Sequence, residues 1–403
     1  MALGAVLGVA GYWAYCQGLP ANRPPAVRMP SPNAYDDYVA AAALLPPRFQ
    51  TVNPSDPSLT ARDFQRWSQR VQPALRRLRA GFRHEYLNPP ARSFSHQTPE
   101  LMEFRRLERA LLIEGRAGES RGRWNAAAQS YLDCLRLGGD VPRGGIQIHG
   151  LVGIAVEREA LAALNRVADR LDANTARDTL LRLRERERRS TALHQVLASD
   201  RDYQLSGTYE LLEARRGSHR AFWEQARLRA PGAPSNTFRV PPGAWEELRF
   251  GFTPKGQILY HYRAYYDALI AEARKPYAER AALPPVPDDP FNRLLLPSLS
   301  DLSLQWAKRD ADYRVALARL ALRCYELDSG QPPTTLQALV PRYLPAVPED
   351  PFGGGVLVFN PDGVEAQVYS RGPDGNDDGG RSPRPLLRGQ AEDGDITGAS
   401  RRR

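Results

Sequence analysis

DLSLQWAKRDADYRVALARLALRCYELDSGQPP (301–333) is the stretch whose reading decides the fold. Apolar side chains recur at Tyr313, Leu317, Leu320, Cys324 and Leu327, in steps of 4, 3, 4 and 3. That spacing puts them on one stripe of an α-helix, and such a stripe is buried against another element. Trp306 and Leu302 extend it upstream. DSGQPP (328–333) ends the helix, because Pro lacks the N–H that the next turn needs. The chain continues through LQALVPRYLPAVPEDPF (336–352) into two alternating runs, VLVFN (356–360) and EAQVYS (365–370), joined across PDG (361–363). Helix, short helix, loop and hairpin in that order predict a small α+β domain over 299–403, an antiparallel sheet laid on the helix.

This region also carries a resemblance. CYELDSGQPPTTLQALVPRYLPAVPEDPFGG (324–354), QVYSRGPDGNDDGG (367–380) and EDGDI (392–396) follow, in order, the motifs of the major pseudopilin of type II secretion systems. The match covers roughly the last quarter of the chain. It implies a pilin-like fold closed by an acidic loop that binds calcium. By that resemblance Asp374 is the first loop aspartate and Asp393 and Asp395 are the closing pair, with Asp377 and Asp378 as neighbouring candidates. Calcium suits such a loop, since it takes about six to eight oxygen ligands in irregular geometry and Asp- and Gly-rich turns supply carboxylates and free carbonyls. RSPRPLLRGQ (381–390) lengthens the loop and adds three Arg. A pseudopilin begins with a processing site and a long apolar helix, whereas here the match lies behind about 290 other residues. Gly251–Phe252–Thr253–Pro254 has the form of that site, but GQILYHYRAYYDALIAEARK (256–275) carries charges where the apolar helix belongs, so we do not read it as one.

Working outward, apolar residues three and four apart predict helices from 59 to about 281. Asp172 and Asn174 offer capping oxygens to one of them. RAGESRGRWNAAAQSYLDCLRLG (116–138) resembles one tetratricopeptide helical hairpin, with Ala127, Tyr131 and Leu135 as its packed stripe. No second copy follows at that family's period. The Pro-rich segment ALPPVPDDPF (282–291) opens a linker over 282–298.

At the other end, ALGAVLGVAGYWAYC (2–16) has no charge, and Trp13 and Tyr15 stand where interfacial aromatics stand. We read 1–16 as a signal anchor, although it is shorter than a full span of about 20 residues. A Pro-rich spacer over 17–58 then holds the next domain away from the membrane.

The 403 residues carry 55 basic and 46 acidic side chains, and only Lys255, Lys275 and Lys308 are lysines. The arginines alternate with acids along helices, as in RLRERERR (182–189), instead of gathering on one face, so nucleic acid is not an expected partner. Three distant cysteines exclude a zinc ribbon and a disulfide framework. The six histidines show no HExxH pattern, and GxSxG, SxxK and phosphate-loop motifs are absent.

The expectation is therefore an α+β multidomain protein: an N-terminal membrane anchor, an all-α helical middle over 59–281, and a C-terminal pilin-like domain. It is expected to be non-catalytic, with neither a catalytic residue nor a small-molecule substrate evident. It would be anchored on the periplasmic or extracytoplasmic face, bind calcium through Asp374, Asp377, Asp378, Asp393 and Asp395, and meet a protein partner. The alternatives are an assembly factor of a type II secretion-like system, or an envelope enzyme with a site between its domains.

Overall fold

The computed structural model describes residues 2–19, 24–214, 244–281, 300–361, 368–381 and 394–397. The linker expected at 282–298 lies outside them, as does Asp393. Eleven α-helices occur among the described residues: α1 (Ala2–Cys16), α2 (Ala34–Ala43), α3 (Ala61–Gly81), α4 (Glu100–Glu119), α5 (Trp124–Asp140), α6 (Gln147–Val167), α7 (Ala173–Arg189), α8 (Leu193–Ala214), α9 (Ala244–Gly251), α10 (Lys255–Ala273) and α11 (Ser300–Ser329).

Local chemistry sets several boundaries. Thr60 and Asp63 form a reciprocal capping box at the start of α3. The Asp172 carboxylate accepts from the Thr175 N–H at 2.9 Å and caps α7. Gly122, at a φ of +68°, turns the chain from α4 into α5. Those two helices pack closely. Ala127, Tyr131 and Leu135 are all fully buried, and a Cβ on Gly115 would come within 2.2 Å of the Tyr131 ring.

Helices α2 to α7 share one hydrophobic core, and the middle and C-terminal end of α11 belong to it through Tyr313, Leu317, Leu320 and Cys324. The N-terminal end of α11 enters a second cluster with α8 and α10, through Leu302 and Trp306. Tyr262, Tyr265 and Tyr266 are buried in that cluster, and Tyr260 is exposed. The long helix is thus an axle common to both cores.

This corrects the α+β multidomain expectation. The molecule is mainly helical, and among the described residues there is one two-stranded sheet, β1 (Val358–Phe359) and β2 (Val368–Tyr369), antiparallel with Val358 opposite Tyr369. A two-residue ladder cannot cover a 30-residue helix. α11 instead packs along α6 and α7 as well as on β2 and the 336–339 turn, and its N-terminal end shares a cluster with α8 and α10, so it is not the lone helix of a separate pilin-like domain.

The N-terminal anchor is corrected as well. α1 has 15 residues, about 22 Å at 1.5 Å per residue, against a hydrocarbon core of about 30 Å. Among the described residues no helix is long and apolar enough to cross a membrane. The segment expected as a spacer over 17–58 joins the core from α2 onward. Asn33 caps α2, and Tyr38 and Phe49 are fully buried.

Candidate functional site

The acidic loop is built on β2. Immediately after Tyr369, Ser370 pairs with Ile396 through two backbone hydrogen bonds of 3.0 and 2.9 Å. The segment 394–397 is thereby laid beside the start of the loop. The Asp395 N–H donates to the Arg381 carbonyl at 2.8 Å and closes the other side. Gly372 makes this approach possible. Its φ is +74°, and a Cβ there would lie 2.5 Å from the Gly394 carbonyl oxygen.

A carboxylate that the sequence reading did not select as a site residue fastens the framework. Asp350 is 5 % exposed, and its Oδ1 accepts from Ser370 Oγ at 2.9 Å and from the Phe352 N–H at 3.0 Å. Its Oδ2 accepts from the Arg371 N–H at 2.8 Å. Its sequence signal was the Pro-Glu-Asp-Pro run at 348–351, which belongs to the 324–354 resemblance and shows a turn but not what the carboxylate reaches.

The expected calcium ligands separate into groups. Asp374 is turned onto its own neighbour, where Asn376 donates to it from N–H and Nδ2, both at 3.2 Å. Asp377 Oδ1 accepts from the Tyr369 hydroxyl at 2.8 Å and the Gly379 N–H at 3.0 Å. Burial, together with that bond to Asp377, raises the Tyr369 phenol above its ordinary range.

Asp395 is fully buried. Its Oδ2 accepts from the Gly380 N–H at 2.8 Å, while Oδ1 is buried without a hydrogen-bond partner. Asp378 Oδ2 is likewise buried and unpartnered. Burial raises the Asp395 carboxyl above its usual range, the Gly380 and Asp378 N–H groups lower it, and the negative charges of Asp378 and Asp377 raise it further. The loop therefore brings Asp377, Asp378 and Asp395 within electrostatic reach of one another, and Asp374 makes its bonds elsewhere. Among the described residues no three His, Cys, Asp or Glu side chains stand together as a ready-made metal site.

The two orphaned carboxylate oxygens are the observation that fits a hard cation. Unsatisfied buried oxygens are costly, and calcium accepts carboxylates together with backbone carbonyls. The turn supplies such carbonyls where Gly375, Gly379 and Gly380 adopt positive φ.

The molecule holds other buried acids, and these lie in the core. Burial pushes Glu108 up to about 8 and Glu157 up to about 7. Each is 1 % exposed, so neither is presented to a solute.

No family model matches the chain, and no curated protein and no solved structure matches it either.

Proposed function

We propose that this is a non-catalytic cell-envelope protein in which a helical scaffold presents a calcium-ordered C-terminal loop to a protein partner. One observation carries the reading. Asp378 Oδ2 and Asp395 Oδ1, on the two chain segments that meet at the loop, are both buried and both lack a partner. Asp378 and Asp395 would hold the ion, with Asp377 as a charged neighbour. Calcium would supply charge neutralisation and oxygen coordination at the junction. The resemblance of 324–354, 367–380 and 392–396 to the major pseudopilin supports calcium at this loop and a role for Asp395, although it marks Asp374 and not Asp378 as the first loop aspartate. It also supports a partner belonging to a type II secretion-like assembly.

Thermal unfolding of the full chain tests this. A ligand that binds only the folded state stabilises it by about 2.7 kcal/mol at a hundredfold excess over its dissociation constant. The melting temperature should rise with calcium, fall with chelator, and respond less to magnesium, which demands a tighter octahedron. Asp378→Asn should remove the calcium response and leave the metal-free melt unchanged or slightly higher, because one of the mutually repelling charges is gone. If wild type and Asp378→Asn respond alike, the loop is a solvated turn and the calcium reading fails.

A further inference from the structure

The C-terminal end of α5 gathers three arginines around one buried aspartate. Asp140 Oδ2 accepts from the Tyr38 hydroxyl and from Arg136 Nε, both at 2.6 Å, and Arg143 Nε stands 3.8 Å from Oδ1. Helix α7 lies alongside. Arg182 Nη1 on α7 donates to Gln129 Oε1 on α5 at 2.6 Å, and the Arg189 carbonyl accepts from Arg143 Nη2 at 3.1 Å. Arg186 falls between those contacts, four residues after Arg182 and three before Arg189, so it shares their face of α7. That places it against the stretch of α5 that carries Arg136 and Asp140. Its surroundings agree. Arg186 is half-buried, and burial together with the charge of Arg136 lowers its guanidinium below the ordinary range, with Asp140, Tyr313 and Tyr38 opposing.

Among the described residues Arg186 makes no hydrogen bond and no ion pair. Its neighbours on the helix differ, since Arg182 pairs with Asp178 and Arg189 with Glu185. Arg136 and Arg143 are both partly open to solvent. Each donates one bond to a backbone carbonyl, of Phe82 and of Arg189, and keeps further N–H donors. Glu157, the next buried acid, is already met by Tyr313 and Arg309. One carboxylate against three guanidinia leaves an excess of two positive charges at this end of α5.

Like charges held together and half out of water repel, and an anion that bridges them removes the repulsion. The planar guanidinium fork matches phosphoryl oxygens in pairs. A phosphoryl group carries a charge of about −1.5 to −2 at pH 7 and three acceptor oxygens, which suits an excess of two and three separate donors. A carboxylate brings half that charge and fewer oxygens. We propose that Arg136, Arg143 and Arg186 form a binding site for a phosphoryl dianion, as inorganic phosphate or as a phosphomonoester. The site is independent of the calcium loop and goes beyond the reading above.

The test is titration calorimetry of the full chain with inorganic phosphate, phenyl phosphate and acetate, without calcium and at one ionic strength, so that general screening stays constant. Wild type should bind one phosphate saturably and acetate at least about tenfold more weakly. Arg186→Gln should weaken phosphate at least about tenfold, as expected for a lost hydrogen bond to a charged group. Its melting temperature without phosphate should be unchanged or slightly higher, because Arg186 has no partner to lose and faces Arg136. Arg188→Gln, an exposed change on the same helix, should bind like wild type. Asp378→Asn should also bind phosphate like wild type, which separates failure here from failure of the calcium reading. Phenyl phosphate that binds as well as phosphate makes a monoester the occupant, and binding of phosphate alone makes it the free ion. Phosphate uptake that does not saturate overturns the proposal. So does Arg186→Gln binding like wild type, or Arg188→Gln weakening phosphate as much as Arg186→Gln does, since the attraction would then be diffuse.

Discussion

The Tyr313 hydroxyl donates a 2.8 Å hydrogen bond to Glu157 Oε1, joining α11 to α6 with both side chains buried. Arg309 stands 3.8 Å from the other carboxylate oxygen and donates to the Thr191 carbonyl at 3.2 Å. The Trp306 indole donates to the same carbonyl at 3.2 Å, and its ring fills the space above Gly150, where a Cβ would come within 2.5 Å. One face of α11 is thus tied to α6 and to the link between α7 and α8 by polar groups that have left water. Buried polar groups cost little when paired and much when orphaned.

Tyr313→Phe should therefore destabilise the whole molecule. The ring still fills its place, but Glu157 Oε1 loses its donor, at a cost of about 1–3 kcal/mol. Urea unfolding followed by circular dichroism reads this directly. A loss below about 0.5 kcal/mol would show that the contact does not fasten α11 to α6.

Glu157 gives a pH dependence of definite sign. Burial raises its folded pKa to about 7, Arg309 and Tyr313 pull it down, and Asp310 and Asp140 push it up. Because the folded value lies above the unfolded one, its contribution is fully present below the usual carboxylate range and is lost as pH rises to about 7. Glu157→Gln cannot ionise and escapes that loss. Compared with Glu157→Gln, wild type should lose stability between pH 5 and 8, by an amount of the order of a few kcal/mol. Melting curves of both proteins across that range check it, and a constant difference would contradict it.

Leu320 lies at the middle of the α11 stripe and is fully buried in the larger core. Leu320→Ala should cost about 2–5 kcal/mol through lost burial and an unfilled cavity. Chemical denaturation should show one cooperative transition shifted as a whole, because that core contains residues of α2 to α7 as well as of α11. Two separated transitions, with only one of them moved, would mean that α11 unfolds apart from the helical scaffold.

Gly372 and Gly375 share a left-handed backbone, at φ of +74° and +72°, but differ in their surroundings. Gly375→Ala meets no atom within 4 Å and should cost only the conformational penalty, about 1 kcal/mol. Gly372→Ala drives its Cβ to 2.5 Å from the Gly394 carbonyl oxygen and should also displace the 394–397 segment. Limited proteolysis of the C-terminal segment should be faster in Gly372→Ala than in Gly375→Ala. Equal rates would mean that Gly372 does not hold the loop closed.

Much of the helical architecture was legible in the residues. The 4, 3, 4, 3 spacing at Tyr313, Leu317, Leu320, Cys324 and Leu327 located α11, and Asp172 marked the start of α7 by its short acceptor side chain. What the spacing could not give was the partner of the stripe. A hydrophobic period says that a face is buried, not what buries it. The remaining faces of α11 bury Ala307, Ala311, Ala316, Ala318 and Ala321, small side chains that weigh little in a pattern but let neighbouring helices come close. For that reason a helix assigned to a small α+β domain became the axle of a helical molecule.

The acidic loop divides in the same way. The sequence determined that aspartates and glycines crowd 374–380 and 392–395, because composition is local. Only the tertiary structure decided that Asp374 is satisfied by Asn376, that Asp350 fastens Ser370 and Arg371, and that Asp378 and Asp395 each keep a buried oxygen without a partner. Hydrogen-bond satisfaction depends on where distant segments meet, and no local pattern contains that information. The absence of charge before Arg23 was likewise plain in the sequence. That α1 is exposed from Val6 to Tyr15 and fastened to Gly251 and Phe252 near its C-terminal end was settled by the tertiary structure.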